Sequence, residues 1–244
     1  MQMSGPSGSD MTQQPMKRHY AYYAYYAFDA FDAYGTLFDV HSAASRHAAE
    51  IGPSWERLSQ VWRTKHLEYT WIWAGTGRHT TFWKLAGESL DTAIATVGGI
   101  PPGTRDKLLA AYRTLDAYPE VAQVLHRLKN RGAKLAILTN GDPDMIADAV
   151  RSARLEGMFD HLVTVHEAGV FKPHRPVYDL LAKHFAIPLP EISFQSSNRW
   201  DVTAGKLAGM RAVWINRTCA PDEYPETQPD CVHGDLSPLA DETC

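Results

Sequence analysis

The sequence predicts an α/β protein whose core is a doubly wound, Rossmann-like parallel sheet and which carries an inserted α-helical cap. After residue 120, amphipathic helical segments alternate with short apolar segments, a pattern typical of parallel strands joined by helical crossovers. Residues 54–118 are helical throughout in their pattern, and one further apolar segment, 24–33, precedes them. The first strand is therefore expected to be separated from the rest of its sheet by a helical insertion.

The chain divides into a tail and two structural parts. Residues 1–20 are polar, contain Gly, Pro and Ser, and have no apolar stretch of the kind found in signal peptides, so we expect a disordered tail. Residues 21–38 and 119–244 are expected to form a discontinuous core domain, and residues 39–118 the helical cap.

The order of elements within these parts follows from helix and strand patterns. Helices are expected to begin at Ser54 and at Asp142, each as an N-cap, with Pro143 in the first helical position. Gly132 is a candidate C-cap for the helix before the second strand. The segments predicted as later strands are 133–139, 161–165, 192–196 and 211–216.

Composition excludes several classes of protein. With 44% hydrophobic and 21% charged residues, the 244-residue chain has an ordinary globular composition. Its formal net charge is −4, so no basic excess favours a nucleic-acid partner. No apolar run reaches the roughly 18–20 residues of a membrane span. The cysteines Cys219, Cys231 and Cys244 are odd in number and lack CxxC spacing, so neither a disulfide framework nor a zinc site is expected, and a reducing cytoplasm is the expected location.

Polar residues follow four of the predicted strands. Parallel strands bind ligands beyond their carboxyl ends, so these residues are expected to meet there. Any one of them has a simpler reading as a helix cap, but a set of four ends that includes a carboxylate and a lysine is hard to explain by capping. In chain order the residues are Asp32 and Thr36, then Thr139 and Asn140, then Lys172, then Ser196, Asn198 and Asp201.

A three-residue repeat over residues 20–34 creates two copies of Phe-Asp-Ala, so two aspartates compete for the end of the first strand. Asp29 lies an odd number of residues before Asp32, and strand alternation therefore places it on the opposite face. A carboxylate at a strand end can act as a nucleophile that forms an ester intermediate. We assign that role to Asp32, although a loop-capping aspartate is the structural alternative.

Five segments together resemble the L-2-haloacid dehalogenase family of the haloacid dehalogenase superfamily, from about residue 28 to 217. They are DAYGTLFDV (32–40), WRTKHLEYTW (62–71), AILTNG (136–141), FKPHRPVY (171–178) and SSNRWD (196–201). The resemblance implies a hydrolase that converts (S)-2-haloacids to (R)-2-hydroxyacids through an aspartyl ester, with inversion at carbon. It also implies no cofactor or metal, a small 2-haloacid and a halide as the only ligands, and a homodimer.

Tyr34 separates this family from related phosphatases. Superfamily phosphatases resemble one another in having a second aspartate two residues after the nucleophile, which protonates an alkoxide leaving group and supports magnesium. A halide leaves without protonation, so Tyr34 favours carbon–halogen cleavage over phosphoryl transfer. A phosphatase acting on small phosphate esters and a non-catalytic relative remain the alternatives.

Lys172 is the expected counterion of Asp32. Without a metal, the nucleophile meets a substrate carboxylate, and two like charges ~4 Å apart repel by roughly 4 kcal/mol at an effective dielectric near 20. A buried ammonium would offset this repulsion, and Pro173 keeps Lys172 out of helical geometry. The structural alternative is a solvated lysine.

The resemblance assigns the other roles. Arg63, Asn140 and Trp200 are expected to receive the halide, and Thr139 the substrate carboxylate. The pocket wall is expected to consist of Tyr34, Leu67 and Phe82. Ester hydrolysis is assigned to Thr36, Tyr178, Ser196, Asn198 and Asp201, with Asp201 orienting Lys172. Gln195 and Arg199 depart from the family pattern, and the effect of an added cation beside Trp200 on halide release is open. The segment after Arg217 carries no recognised functional motif.

Overall fold

The computed structural model describes residues 28–241, and within that range it contains one sheet of six parallel strands in the order β3-β2-β1-β4-β5-β6. The strands are β1 (Phe28–Phe31), β2 (Lys134–Thr139), β3 (His161–Thr164), β4 (Ser193–Ser196), β5 (Arg211–Ile215) and β6 (Cys231–His233). All neighbouring strands pair in parallel. The predicted fold class is confirmed.

Helices connect these strands, and five of those described lie between β1 and the helix that leads into β2. The five are α1 (Ser42–Ser45), α2 (Ala48–Ile51), α3 (Trp55–Gly75), α4 (Phe82–Thr96) and α5 (Thr104–Tyr112). The crossover helices are α6 (Val121–Asn130), α7 (Pro143–Ser152), α8 (Arg175–Phe185) and α9 (Arg199–Ala208). Single 3₁₀ turns occupy Val165–Glu167, Leu189–Glu191 and Ser237–Ala240. None of the helices in the described range is long and apolar enough to cross a membrane.

The helical insertion leaves and rejoins the sheet through two adjacent segments. Phe38 and Ala117 form an antiparallel bridge, and the N–H of Tyr118 donates to the carbonyl of Leu37 at 3.0 Å. Within the insertion, α3 packs on α4, and the indole N–H of Trp62 donates to the carbonyl of Ala86. The division into a core domain and a cap domain stays a prediction. The helical insertion occupies the part of the chain that was predicted as the cap.

The sheet places the site where its strand order changes direction. β1 lies between β2 and β4, so the connections from β1 to its two neighbours depart to opposite sides. A crevice forms beyond the carboxyl ends of strands at such a point. The residues that follow β1, β2 and β4 therefore surround one location.

The two predicted N-cap residues are in the expected positions, but neither caps its helix through its side chain, and Gly132 is displaced by one residue. Ser54 occupies the N-cap position of α3, but its side chain makes no capping hydrogen bond. Asp142 is the N-cap residue of α7, and its carboxylate does not cap that helix either. Gly132 lies one residue beyond the C-cap of α6, with a positive φ of 85°. The predicted tail, 1–20, and residues 20–27 of the repeat lie outside the described residues.

The segment after Arg217 contributes more than the sequence indicates. It forms β6, a three-residue strand too short to be recognised from its pattern, which pairs with β5. Cys231 in β6 is disulfide-bonded, a cross-link that the sequence analysis did not predict. Cys219 is free and exposed. Disulfide pairing depends on which cysteines the fold brings together, and their spacing along this chain does not reveal it.

Candidate active site

Asp32 follows β1 directly and lies at the centre of the crevice. Its N–H donates to the carbonyl of Gln195 at 2.9 Å, which fixes the backbone against β4. One carboxylate oxygen, Oδ2, accepts hydrogen bonds from Thr36 Oγ1 at 3.1 Å and Asn198 Nδ2 at 2.8 Å. The other, Oδ1, accepts from Lys172 Nζ at 3.1 Å. The side chain is therefore held in one orientation by groups from three loops.

Lys172 joins two carboxylates. Its Nζ also donates to Asp201 Oδ2 at 2.8 Å, and its side chain is 1% exposed. Burial lowers the pKa of Lys172, but the adjacent Asp201 and Asp32 carboxylates outweigh burial and raise it above its usual value. Lys172 is therefore a cation at neutral pH, and the expected counterion contact is present.

Asp201 is enclosed by hydrogen-bond donors. Besides Lys172, it accepts from the Tyr178 hydroxyl at 2.6 Å and from the Ser196 hydroxyl at 3.0 Å. Burial raises the pKa of Tyr178 well above its usual value, so its hydroxyl keeps its proton and remains a donor. A buried carboxylate with three donors is satisfied, and it holds the ammonium of Lys172 in place.

Asn140 supports the loop that carries Lys172. The Lys172 N–H donates to Asn140 Oδ1 at 2.9 Å, and the Lys172–Pro173 peptide bond is cis. Thr139, the last residue of β2, is fully buried and its Oγ1 accepts from the N–H of Gly141 at 3.0 Å. The hydroxyl proton of Thr139 is left to donate to another acceptor.

Arg63 reaches the crevice from α3. Its Nη2 donates to the carbonyl of Tyr34 at 2.9 Å and to Asn198 Oδ1 at 3.0 Å, so only the Asn198 amide separates it from Asp32. Gly35 permits this approach. Its φ is +96°, and a Cβ there would lie 3.3 Å from Ser197 Oγ and 3.6 Å from Arg63 Nη2. A side chain at position 35 would be strained and would crowd the guanidinium.

Aromatic rings form the wall that faces the helical insertion. Tyr34 stacks on Tyr112, with ring centroids 5.7 Å apart, and lies 5.3 Å from Phe82. Phe82 in turn stacks on His66 at 3.9 Å. Burial lowers the pKa of His66 to about 3, so its ring is neutral. Leu67, one residue later on α3, is partly buried.

Sequence reasoning missed three of these residues. His66 and Tyr112 belong to ordinary amphipathic helices, and only the fold brings them against Phe82 and Tyr34. Ser197 contacts Thr36 through its hydroxyl, at 3.1 Å, and its N–H donates to Thr36 Oγ1 at 2.8 Å. The position of Ser197 directly after β4 is the one indication that the sequence offers.

Arg199, which departs from the family pattern, turns away from the crevice. Arg199 is buried and donates to Asp222 at 2.7 Å and to the carbonyls of Tyr224 and Thr227. It therefore anchors the segment after β5 and is not a cation at the halide position. The next residue, Trp200, packs edge to face on Trp71 with ring centroids 5.6 Å apart, and this contact links α9 to α3.

Gln195 belongs to a second buried polar group. Its Nε2 donates to Asp29 Oδ1 at 2.9 Å and to Ser193 Oγ at 2.7 Å. Burial raises the pKa of Asp29 to about 7. The two aspartates of the repeated triplet thus have separate environments. Asp32 contacts Lys172, whereas Asp29 contacts Gln195.

The chain is similar to known dehalogenases over most of its length. A family model described as haloacid dehalogenase-like hydrolase matches residues 30–209. (S)-2-haloacid dehalogenase 4A from Burkholderia cepacia is 38% identical over 192 residues, which cover 78% of this chain and 83% of that protein. An (S)-2-haloacid dehalogenase from Pseudomonas sp. (strain YL) is 40% identical, with 76% and 80% covered.

Solved structures agree with these sequences. L-2-haloacid dehalogenase from Xanthobacter autotrophicus with chloropropionic acid covalently bound superposes with a TM-score of 0.80 at 34% identity, covering 88% of this chain and 97% of that one. A dehalogenase with an intermediate complex superposes with a TM-score of 0.85 at 35% identity, covering 87% and 95%. The chain therefore belongs to the haloacid dehalogenase-like hydrolases and, within them, to the (S)-2-haloacid dehalogenase family.

Proposed function

We propose that the protein hydrolyses (S)-2-haloacids to (R)-2-hydroxyacids and halide, with Asp32 as the nucleophile. The observation that carries this proposal is the contact of Lys172 with both Asp32 and Asp201, at 3.1 and 2.8 Å. This contact places a buried ammonium against the carboxylate at the end of β1 without occupying all the lone pairs of that carboxylate.

In the first step, a carboxylate oxygen of Asp32 attacks C2 of the substrate from the face opposite the halogen. The new C–O bond forms as the carbon–halogen bond breaks, and the halogen leaves with the bonding electrons as halide. Carbon is inverted once. Arg63, with Asn140 and Trp200, receives the halide, because a weakly hydrated guanidinium suits a large anion.

In the second step, water attacks the carbonyl carbon of the Asp32 ester. Lys172 Nζ, Thr36 Oγ1 and Asn198 Nδ2 already donate to the Asp32 oxygens and stabilise the negative charge that develops there. The acyl C–O bond then breaks: the leaving oxygen takes one proton of the attacking water, the other proton passes to solvent, and the water oxygen stays in the Asp32 carboxylate. The hydroxyacid is released with no second inversion. Asp201, held by Tyr178 and Ser196, orients Lys172 throughout both steps.

Substrate orientation comes from both sides of the crevice. The Thr139 hydroxyl and the backbone N–H groups after Asp32 bind the substrate carboxylate. The rings of Tyr34 and Phe82, with Leu67, bound the substituent on C2. Because the aromatic rings and the leucine side chain make this wall apolar, it suits a short alkyl substituent on C2.

The phosphatase alternative requires magnesium, and the residues do not fit that ion. The Lys172 ammonium lies between the two carboxylates that would ligate it, and position 34 supplies a tyrosine in place of a third carboxylate. A non-catalytic relative is disfavoured because every residue type that the two steps need is present among the described residues.

The assembly and location of the protein are further parts of this proposal. We propose a homodimer that forms through the helical insertion, in support of which Trp71 and Ile72 on α3 are 40% and 61% exposed. Light scattering that returns a monomer mass would contradict it. We also propose a cytoplasmic location. The disulfide at Cys231 is evidence against it, because a reducing cytoplasm disfavours disulfides. Cell fractionation tests the location, and thiol trapping tests whether Cys231 is oxidised in the cell.

A single turnover in H₂¹⁸O tests the ester route. With enzyme in excess over (S)-2-chloropropionate, the first label should enter Asp32 and not the lactate, as read by mass spectrometry of the peptide and product. Asp32→Asn should abolish halide release, whereas Asp29→Asn, the matched change in the neighbouring triplet, should retain it. Label that enters lactate directly, or loss of activity on chelation, would contradict the proposal.

A further inference from the structure

Asp142 connects the loop after β2 to a helix of the insertion. Its Oδ1 accepts a hydrogen bond from the N–H of Phe82 at 3.1 Å, and its Oδ2 accepts from the N–H of Trp83 at 2.8 Å. Both donors belong to the first turn of α4, which is sixty residues away in sequence. One carboxylate therefore binds the start of a helix in another part of the fold.

These two bonds complete the N-terminus of α4. The first four N–H groups of a helix have no partner within the helix. Here the N-cap residue Thr81 accepts from Lys84 N through its Oγ1 at 3.1 Å, and its carbonyl accepts the first bond of the helix from Leu85 N at 3.3 Å. Asp142 accepts from the N–H groups of Phe82 and Trp83, which lie between the N-cap and Lys84. Its negative charge also lies at the positive end of the helix dipole.

Asp142 is available for α4 because it does not cap its own helix. It is the N-cap residue of α7, yet within the described chain its side chain makes no capping bond there. Pro143 occupies the first position of α7 and has no N–H to offer. The Asp142 carboxylate therefore accepts hydrogen bonds from α4 and not from α7, the helix that it precedes.

The residues linked by Asp142 are those proposed to touch substrate. Asp142 comes three residues after Thr139, at the end of the loop assigned to the substrate carboxylate. Phe82 is the first residue of α4 and part of the wall around the C2 substituent. The Asp142–Phe82 hydrogen bond therefore joins the two sides of the pocket.

A second link joins the same parts without reaching the pocket. Arg113, just after α5, forms ion pairs with Asp144 and Asp148 on α7, and its guanidinium lies 5.2 Å from the Trp83 ring. Asp144 is 67% exposed and contacts no residue of the proposed pocket wall within the described chain. It offers a matched control for Asp142.

We propose that Asp142 is a positioning residue that determines selectivity for the C2 substituent, by holding α4 and Phe82 at a set distance from the β2 loop. This inference rests on the proposed function for its substrates. Asp142 contacts none of the reacting groups, so its loss should act on recognition of the substituent. It should leave the chemical step on a substrate without a substituent largely unchanged.

The test compares Asp142→Ala and Asp142→Asn with the control Asp144→Ala, using chloroacetate and (S)-2-chloropropionate. In Asp142→Ala, the ratio of kcat/KM for chloropropionate to that for chloroacetate should fall about threefold to tenfold, mainly through KM. Asp142→Asn keeps one acceptor and should show a smaller fall. Asp144→Ala should keep the wild-type ratio.

A second readout does not depend on turnover. Amide exchange at Phe82 and Trp83 should accelerate in Asp142→Ala and not in Asp144→Ala. An unchanged substrate ratio in both Asp142 variants, with an active wild type, would overturn the inference. If Asp142→Ala fails to fold, Asp142→Asn decides the outcome alone. A wild type that releases no halide from either acid would contradict the proposed function instead.

Discussion

The two sides of the crevice are built on different principles. The sheet side is polar: Asp32, Lys172 and Asp201 form a buried charged group in which each member has hydrogen-bond partners. The side formed with the insertion is mostly aromatic, with Phe82 and Tyr112 packed on Tyr34, and Arg63 brings a charge to it. Directional bonds fix one side, and ring packing shapes the other.

This difference separates chemistry from recognition. Hydrogen bonds and ion pairs in a buried environment hold atoms to within fractions of an ångström, as nucleophilic attack requires. Ring packing tolerates small displacements, and a pocket wall that accepts several substituents needs only that. Substitutions on the sheet side should therefore lower kcat, whereas substitutions on the aromatic side should raise KM.

After Asp32 itself, the largest effect is expected at Lys172. Lys172→Met removes the donor that Asp32 and Asp201 share, and kcat should fall by about 10²–10³-fold, the usual loss when one buried donor to a developing oxyanion is removed. Steady-state halide release measures the loss. The exposed Lys183→Met is the control and should keep wild-type kcat. Full activity in a folded Lys172→Met protein, checked by circular dichroism, would remove the distinction between the two sides.

Substitution of Arg63 tests the charge that α3 brings to the crevice. Arg63→Lys keeps the charge but loses the planar guanidinium that reaches Tyr34 and Asn198, and kcat/KM should fall about tenfold to a hundredfold. Arg57→Lys, an exposed change on the same helix, should be neutral. If Arg63→Lys lowers kcat as much as Lys172→Met does, Arg63 belongs functionally with the sheet side.

Tyr112 tests the aromatic wall itself. Tyr112→Leu removes the ring stacked on Tyr34, and KM for (S)-2-chloropropionate should rise about twofold to tenfold with kcat within twofold. Tyr112→Phe retains the stacked ring and should have the smaller effect. A fall in kcat without a rise in KM would show that the wall takes part in the chemical step.

Asp29 should have the smallest effect on activity, because it lies outside the crevice, but a measurable one on stability. Burial raises its pKa to about 7 from 3.8, so between these values the folded state binds a proton that the unfolded state has released. Its contribution to stability is therefore present at pH 4 and is lost as pH rises to about 7. Asp29→Asn should increase the free energy of unfolding at pH 8 by up to about 4 kcal/mol and change it little at pH 4.

Urea denaturation at both pH values measures this effect. Asn keeps an acceptor for Gln195 Nε2, so the hydrogen bond at 2.9 Å is retained in the variant. Equal stabilities of wild type and Asp29→Asn at pH 8 would mean that the buried carboxyl carries no cost. That result would also weaken the contrast between the two copies of the repeated triplet.

The fold and the sheet side of the crevice were predictable from the sequence. Alternating helices and strands indicated the parallel sheet, and polar residues after its strands indicated where the site would lie. Asp32, Lys172 and Asp201 could be grouped because parallel strands bring their carboxyl ends to one edge. The choice of Asp32 over Asp29 followed from strand alternation, and the two carboxylates do have different partners.

The aromatic side was predictable only in part. Leu67 and Phe82 were recognised through resemblance, but His66 and Tyr112 had no local feature to distinguish them from helix residues that pack elsewhere. The sequence leaves open whether Arg199, beside Trp200, affects halide release; in the structure its side chain turns to Asp222 and to carbonyls in the segment after Arg217, which carries no recognised motif. Neighbours in sequence at the start of a helix point in different directions.

By itself, the sequence determined the order of helices and strands and the polar residues at the strand ends. It also determined that Tyr34 stands where related phosphatases have a second aspartate. These are local properties, set by backbone preferences and by the periodicity of side chains along one element. Only the tertiary structure decided that Asp142 caps α4, that Cys231 is disulfide-bonded and that Tyr112 stacks on Tyr34. Asp142 and α4, like Tyr112 and Tyr34, are far apart in the chain, and their proximity arises from packing of whole elements, which no short stretch of sequence records.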